Sequence, residues 1–271
     1  MRELHLFAGI GGGVLAGKLL GHTCVGAVEI DHYCRRVLEA RQRDGCLEPF
    51  PIHDDIRTFD GKPWRGLVDV VCGGFPCQPW SAAGKRLGAA DPRHLWPEMA
   101  RVVAECRPQF VFAENVSLAA FAEPWRDLRG LGYRVPPALC LGACHLGAMY
   151  HRHRWWLLAA DAVELGRSGR TEGAEESRAI HERLGAGVVN ARHADGSGLA
   201  QRQSECGDAC AQQPAAIGAT WRAAAPRLLR LVSRHARRLE SRRKRIHALG
   251  NAQIPIVAAT AFRLLMQQVT Q

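Results

Sequence analysis

Four side chains in this sequence could carry covalent or proton-transfer chemistry if the fold brought them together: Cys77, Glu114, Arg152 and Arg154. Cys77 lies in Gly73-Gly74-Phe75-Pro76-Cys77-Gln78-Pro79-Trp80-Ser81, directly after the apolar, β-branched run 67–72 (LVDVVC). A run of that kind reads as a buried strand, and two glycines and a proline break it, so the thiol is presented on a loop at the strand's C-terminal end. A thiolate is both a strong nucleophile and a workable leaving group. A lone loop cysteine proves little, because buried cysteines are common and usually inert. Its company is what matters. Glu114 follows the apolar run Phe110-Val111-Phe112-Ala113, where a carboxylate is costly unless it sits in a cleft or is used. Arg152 and Arg154 are two apart ahead of Trp155-Trp156-Leu157-Leu158-Ala159-Ala160, so they share one face of an extended segment. The plain alternative for the arginines is a solvated strand edge.

These groups need a scaffold, and the chain supplies strands alternating with helical patterns. Residues 4–7 (LHLF) read as a strand, Ala8-Gly9-Ile10-Gly11-Gly12-Gly13 as a turn, and a helix resumes at Val14. Glycines let a backbone approach a ligand closely, and a helix N-terminus aims amides at it. The strict dinucleotide fingerprint is absent, and such turns also serve packing. Residues 23–28 form a second strand ending at Glu29, which is placed either to accept bonds from ribose hydroxyls or simply to precede a helix over 32–43 capped by Asp31. Asp55, in the short segment around Ile52-His53-Asp54-Asp55-Ile56, could accept an exocyclic amine or end a strand. A helix after Asp91-Pro92, a strand at 110–113, a helix near 117–131, a strand near 133–141 and the strand at 155–160 follow. The expected fold is α/β, a doubly wound, mostly parallel sheet, with chemistry at the carboxyl ends of the strands.

The bulk numbers suit one substantial domain and a smaller one. The chain has 271 residues, 47% of them hydrophobic and 23% charged. No apolar run approaches the roughly 20 residues of a membrane span, and a strand pattern at the very start leaves no room for a signal peptide, so a cytoplasmic location is expected. In that compartment the ten cysteines are expected as free thiols. Cys140/Cys144 (followed by His145) and Cys206/Cys210 have CxxxC spacing and could supply zinc ligands, though the spacing is looser than in a usual knuckle and packing explains them equally, so no metal is assigned.

Net charge is +10, and the excess is local: residues 222–245 hold ten basic residues against Glu240 alone, a net of +9. Solvated helix faces usually mix signs, so this stretch points to a polyanion, most simply nucleic acid. Residues 161–221 are rich in Gly, Ala, Ser, Arg and Glu with weak periodicity and read as an irregular insertion. Gly250-Asn251-Ala252-Gln253-Ile254-Pro255 then leads into a last amphipathic helix from 256 to about 267, expected to pack back on the sheet.

Read together, these stretches resemble the cytosine-C5 DNA methyltransferases, particularly compact bacterial and phage-like members. The resemblance covers 1–160 and about 240–271, in the family's motif order. It implies a Rossmann-like, S-adenosylmethionine-dependent catalytic domain at 1–160. It also implies a small, irregular target-recognition region at 161–245 and a C-terminal helix at 246–271 that returns to the catalytic domain. LFAGIGG (Phe7, Gly9, Gly11) corresponds to the cofactor loop, Glu29 to the ribose acid, and Asp55-Ile56 to the adenine site. Gly74-Phe75-Pro76-Cys77-Gln78 corresponds to the nucleophile loop, with Pro76 also toward the cofactor. Glu114-Asn115-Val116, Arg152-x-Arg154 and Gly250-Asn251-Ala252 complete the set, with Asn251 and Ala252 on the cofactor side. The implied reaction is methyl transfer to carbon 5 of a flipped-out cytosine through a Cys77 adduct, with Glu114, Arg152 and Arg154 assisting. Double-stranded DNA is the implied partner, contacted by Ser81, Lys85, Arg86, Arg242, Arg243 and Arg245. A cognate restriction endonuclease is a further partner that the resemblance admits, and a monomer is expected.

Two positions depart from the family pattern: His5 stands where many members carry an acid, and Met149-Tyr150 where Pro-Gln is common. The first bears on a cofactor contact, the second on a contact supporting the arginines. A tRNA methyltransferase of the same fold would usually read PPCQ where this chain has Phe75-Pro76-Cys77-Gln78, which favours DNA. A catalytically idle DNA-binding protein would not need Cys77, Glu114 and Arg154 intact. A dinucleotide-dependent oxidoreductase rests only on the glycine loop and Glu29.

Overall fold

The computed structural model describes residues 1–76, 94–163, 189–191 and 242–270, with the side chains of 189–191, 242 and 243 outside the description. In chain order the elements are β1 (Arg2–Leu6), α1 (Gly12–Leu19), β2 (Thr23–Val28), α2 (His32–Arg43), β3 (Ile52–His53), β4 (Val70–Gly73), α3 (Trp96–Cys106) and β5 (Phe110–Asn115). They continue with α4 (Ala122–Gly130), β6 (Tyr133–Arg134), β7 (Ala138–Gly142), β8 (His153–Asp161), β9 (Val189–Ala191), α5 (Arg242–Asn251) and α6 (Pro255–Thr270).

The strands form one sheet in the order β3-β2-β1-β4-β5-β8-β7-β9, with β6 also beside β8. Pairing is parallel from β3 through β5, and β8 runs antiparallel to β5, β6 and β7. Helices cover both faces, as the alternation of side chains along each strand requires. Leu4, Leu6, Val71, Val111, Ala113, Trp155 and Leu157 pack with Trp96, Met99, Val102 and Val103 of α3 on one face. Val70, Cys72, Phe110, Phe112, Trp156 and Leu158 pack with Ala16 of α1 and Val257, Ala258, Phe262 and Leu265 of α6 on the other. The chain moves outward in one direction from β1 to β3 and then returns to place β4 on β1's other side. The glycine turn after β1 and the loop after β4 therefore flank the switch point, the crevice in which open α/β sheets bind ligands.

Several local expectations hold in detail. Asp31 caps α2, its Oδ1 accepting from the amides of Tyr33 (2.7 Å) and Cys34 (3.1 Å). Pro255 opens α6 and is buried. Others shift: the expected strand near 133–141 is two strands separated at Val135-Pro136-Pro137, because proline cannot donate to a ladder. Two expectations are corrected. Lys244–Thr270 is long and apolar enough to cross a membrane by length and composition. Its α6 part is core, and the helix breaks at 252–254. Free thiols hold for Cys24, Cys34, Cys46, Cys72 and Cys106, whereas Cys140 and Cys144 are disulfide-bonded and offer zinc no thiolate. The expectation rested on compartment, but bonding is decided by where the backbone places the two Cβ atoms. Cys206 and Cys210 lie outside the described residues.

His5, the departure from the family's acid, is buried with an acid of its own. Glu3 and His5 share the face of β1 that lies under α1, and Glu3 Oε2 meets His5 Nε2 at 2.8 Å while Oε1 meets His22 Nδ1 at 2.7 Å. Burial alone would push the Glu3 carboxyl up, but the bonds from His22 and His5 outweigh it and hold the group at about 2. A carboxyl depressed on folding contributes stability above its unfolded value, near 4.5, and loses it as pH falls toward 2. Glu3→Gln is expected to destabilise the protein by about 1–3 kcal/mol at pH 6. In denaturant titrations against pH, the gap to wild type should close between about pH 4.5 and 2. A gap that stays constant over that range would mean that the carboxyl's charge does not matter.

Candidate active site

The site is assembled at the carboxyl ends of β1, β2, β4 and β5, closed by the start of β8 and the segment joining α5 to α6.

After β1 the chain turns sharply: Phe7 adopts φ +55° and Gly9 φ +54°. Among the described residues, a side chain at Gly9 would meet nothing within 4 Å, so this part of the loop faces open space there. The Gly9 amide donates to Glu29 Oε2 at 2.6 Å, and Glu29 Oε1 accepts from the Asp31 amide at 2.8 Å. Glu29, buried at the end of β2, thus ties the glycine turn to the neighbouring strand, and burial pushes its carboxyl up. Gly11, at φ +84°, precedes the first turn of α1. Asp55 Oδ1 accepts from the backbone amide and Nε of Arg57, both at 3.0 Å, and this partner holds its carboxyl down. Ile56 is buried in the core with Val28 and Phe59.

The root of the nucleophile loop is anchored. Phe75 is buried against Trp96 and Phe121, with ring centroids at 5.4 and 6.0 Å, and its carbonyl accepts from Asn115 Nδ2 at 3.2 Å. Pro76 is half-buried. Cys77, Ser81, Lys85 and Arg86 lie outside the described residues.

Glu114 is the second-to-last residue of β5 and projects to the α6 face with Phe112. Because β8 is antiparallel, its first residues lie beside the last of β5, with Glu114 opposite Trp156. Arg154, two residues before Trp156, shares that face, and its Nε meets Glu114 Oε1 at 2.9 Å. Burial pushes the Glu114 carboxyl up, against the opposing pull of Arg154 and Arg152 and a hydrogen bond from the Gln253 side chain.

The arginines divide their work. Arg152 Nη2 donates to the carbonyls of Gly250 (2.6 Å) and Ala252 (2.7 Å), so its guanidinium grips the C-terminal segment. Burial and Arg154 hold its pKa below the usual arginine value. Ala252 packs against the cluster of Ile10, Tyr33 and Val37, whereas Asn251 is exposed and its amide meets His247 Nε2 at 3.2 Å. Arg245 is half-buried on α5, within electrostatic reach of Tyr33.

Two functional residues escaped the sequence reading. Arg41 is fully buried, and its Nη1 donates to the Ile10 carbonyl, so it supports the glycine turn from below. Its Nε and Nη2 have no partner among the described residues, and burial lowers its pKa to about 10. The signal was a charge on the apolar stripe Cys34, Val37, Leu38, Arg41. Gln253 is the other: a Cβ added at Gly12 would lie 2.2 Å from its carbonyl oxygen, and its side chain reaches Glu114.

The sheet order and its helices on both faces are those of a Rossmann-like fold. Residues 1–190 match the family model described as C-5 cytosine-specific DNA methylase, and the chain belongs to that family. It is 39% identical over 140 residues to the Type II methyltransferase M.PspPI of Psychrobacter sp. (strain TA137), covering 49% of this chain and 33% of that protein. It is 32% identical over 165 residues to M.HpaII of Haemophilus parainfluenzae, covering 57% and 44%. The chain thus spans well under half the length of these relatives. In fold, it matches the crystal structure of a DNA modification methyltransferase encoded within an E. coli prophage, with TM-score 0.50, 21% identity, 64% of this chain and 49% of that chain.

The close approach at Gly12 and the open space at Gly9 separate packing from conformation. Gly12→Ala drives a methyl group into backbone and is expected to cost about 1–3 kcal/mol or more. Gly9→Ala has room and is expected to cost only about 1 kcal/mol, for its left-handed φ. Chemical denaturation of both variants checks the order, and equal losses would mean that the C-terminal segment is not held against α1.

Proposed function

We propose that this chain is a DNA (cytosine-5-)-methyltransferase that acts on a cytosine flipped out of duplex DNA through a covalent bond to Cys77. The single observation that carries this reading is the half-buried Glu114–Arg154 ion pair beside the end of β4, from which the Cys77 loop departs, in a chain of the C-5 cytosine-specific family.

The residues fit S-adenosylmethionine as cofactor. The open space over Gly9, the first turn of α1 and the Glu29 carboxylate form a cradle on which a nucleoside could lie. Each Glu29 oxygen has one bond from backbone and keeps lone-pair capacity for ribose hydroxyls. Phe7, Gly9, Gly11, Glu29, Asp55, Ile56, Pro76 and Ala252 are assigned to this side. Asn251 keeps its assignment, with His247 as its present partner. When bound, the cofactor supplies an electrophilic methyl group on a sulfonium.

The protein's part is to make carbon 5 of cytosine nucleophilic. The Cys77 thiolate adds to carbon 6, and electron density moves onto the ring toward N3. Glu114 faces that charge: burial favours its protonated form, from which it donates to N3, and it also accepts from the 4-amino group. Arg154 holds the carboxyl in place and offers its remaining donors to the base O2 and the nearby phosphate. Arg152 acts one step back, through its hold on Gly250 and Ala252. Methylation of carbon 5 would break the sulfonium's bond to its methyl group and leave a neutral thioether; carbon 5 then gives its proton to water, and elimination of the Cys77 thiolate restores the ring. The basic stretch 222–245, within a target-recognition region at 161–245, is assigned to phosphate contacts that offset the cost of base flipping, with Ser81, Lys85, Arg86, Arg242, Arg243 and Arg245 among them. Residues 1–160 and 246–271 form the catalytic body of a cytoplasmic monomer. The relatives' Type II names make a cognate restriction endonuclease the further partner to seek.

Purified protein, duplex DNA and S-adenosylmethionine are expected to yield 5-methylcytosine in digested nucleosides analysed by mass spectrometry. Cys77→Ser should abolish the product while cofactor binding persists, and Glu114→Gln should slow it by about 10²-fold or more, since an amide cannot donate a carboxylic proton. A wild-type product methylated on an exocyclic nitrogen, or turnover by Cys77→Ser within tenfold of wild type, would overturn the covalent mechanism.

A further inference from the structure

We propose that Gln253 is a positioning residue for this reaction: its side-chain amide fixes the aim of Glu114 and ties that carboxyl to the first turn of α1, the wall of the cofactor cleft. This rests on the methyltransferase reading above and adds to it a residue outside the Gly250-Asn251-Ala252 motif.

The backbone at Gln253 has little freedom. Arg152 grips the carbonyls of Gly250 and Ala252 on one side, and on the other the Ile254 carbonyl accepts the Ala258 amide at 3.0 Å as α6 begins. The Gln253 carbonyl presses on Gly12, where only a hydrogen fits. From this fixed base the side chain spans two elements. A Cβ placed at Gly13 would lie 2.8 Å from Gln253 Oε1 and 3.2 Å from His5 Nδ1, so the amide oxygen faces the start of α1. A Cβ placed at Gly74 would lie 2.8 Å from Glu114 Oε2 and 3.4 Å from Gln253 Nε2, so the amide nitrogen and the free carboxyl oxygen meet beside the root of the Cys77 loop. The glycines at 12, 13 and 74 are therefore one feature: they clear the path of this side chain.

Chemically, the Glu114 carboxyl is held from two sides. Arg154 Nε takes Oε1 at 2.9 Å, and Gln253 donates to the carboxyl as the neutral partner. Among the described residues the charged groups facing Glu114 are Arg154 and Arg152, both from β8 or its leading residue; the end of β4 brings Gly73 and then Gly74 there, and Gln253 is the partner from the C-terminal segment. A donor to a carboxylate favours its charged form, so removing the amide must raise the pH at which Glu114 takes a proton. It also frees the carboxyl to rotate about its last bond, which loosens the geometry on which proton transfer depends.

The test uses the full chain with Gln253→Met, which keeps the length without the amide, and Gln253→Glu, which keeps the shape and presents a second carboxyl. Glu114 is titrated directly by carbon-13 NMR in the protein without DNA. Methyl transfer is measured in parallel as kcat and KM against pH. Both variants should shift the Glu114 titration upward by at least half a pH unit. Gln253→Met should lower kcat at pH 7.5 at least tenfold, leave the KM values for DNA and S-adenosylmethionine within threefold, and move the alkaline limb of activity upward. An unmoved Glu114 titration in both variants, with kcat within twofold of wild type, would overturn the proposal and leave Gln253 a packing residue. If no variant and not the wild type methylates cytosine, the methyltransferase reading fails, while the titration still decides the role of Gln253.

Discussion

A carboxyl drawn largely out of water at the end of a strand is the constraint around which this site is arranged. Taking Glu114 out of water favours its neutral form, and leaving it charged there without partners would cost several kcal/mol. The fold answers with an arginine on one oxygen and an amide donor beside the other. The outcome is a carboxyl that burial pushes toward its neutral form and that Arg154, Arg152 and Gln253 pull back toward its charged one. A simple surface carboxylate would stay charged, and an unpartnered buried one would stay protonated.

Much of the architecture serves that balance. Arg154 reaches Glu114 only because β8 runs against β5, which sets the start of one strand beside the end of the other. Arg152, two residues earlier, does not add to the pocket directly but holds Gly250 and Ala252, and with them the segment carrying Gln253. That segment in turn presses on α1 at Gly12. The glycine turn, the carboxyl and the chain's last helix are thus one mechanical unit, although the turn and the helix lie at opposite ends of the sequence. The buried Glu3–His5–His22 cluster lies under the same helix.

Strand ends and turns were legible in the sequence because their signals are local. Apolar runs stopping at Glu29, Gly74 and Glu114, and Asp31 ahead of a helical period, marked the elements and their ends. Their gathering into one cleft followed from the rule for open parallel sheets. What the sequence did not reveal depends on pairings across the fold. The direction of β8 is not encoded in its composition, so Arg152 and Arg154 looked equivalent when one meets a side chain and the other backbone carbonyls. Gln253 carries no charge and no periodicity, and only the three glycines that make room for it hinted at its path. Arg41 was readable in principle as a charge on an apolar stripe, yet which carbonyl it meets requires the glycine turn to be in place. The disulfide state of Cys140 and Cys144 likewise follows from backbone geometry, which spacing alone does not give.

The most direct measurement of the central claim, that Glu114 activates a cytosine for attack by the Cys77 thiol, uses duplex DNA in which the target cytosine carries fluorine at carbon 5. Methyl transfer to such a base leaves no proton to remove, so the thiolate cannot be eliminated and the adduct persists. Wild-type protein incubated with this DNA and S-adenosylmethionine is expected to give a covalent complex in denaturing mass spectrometry, with the base on the peptide containing Cys77. Glu114→Gln should form it at least about 10²-fold more slowly. A protein that binds the cofactor and the DNA yet forms no such complex, or one whose base maps to a different residue, would contradict the assignment.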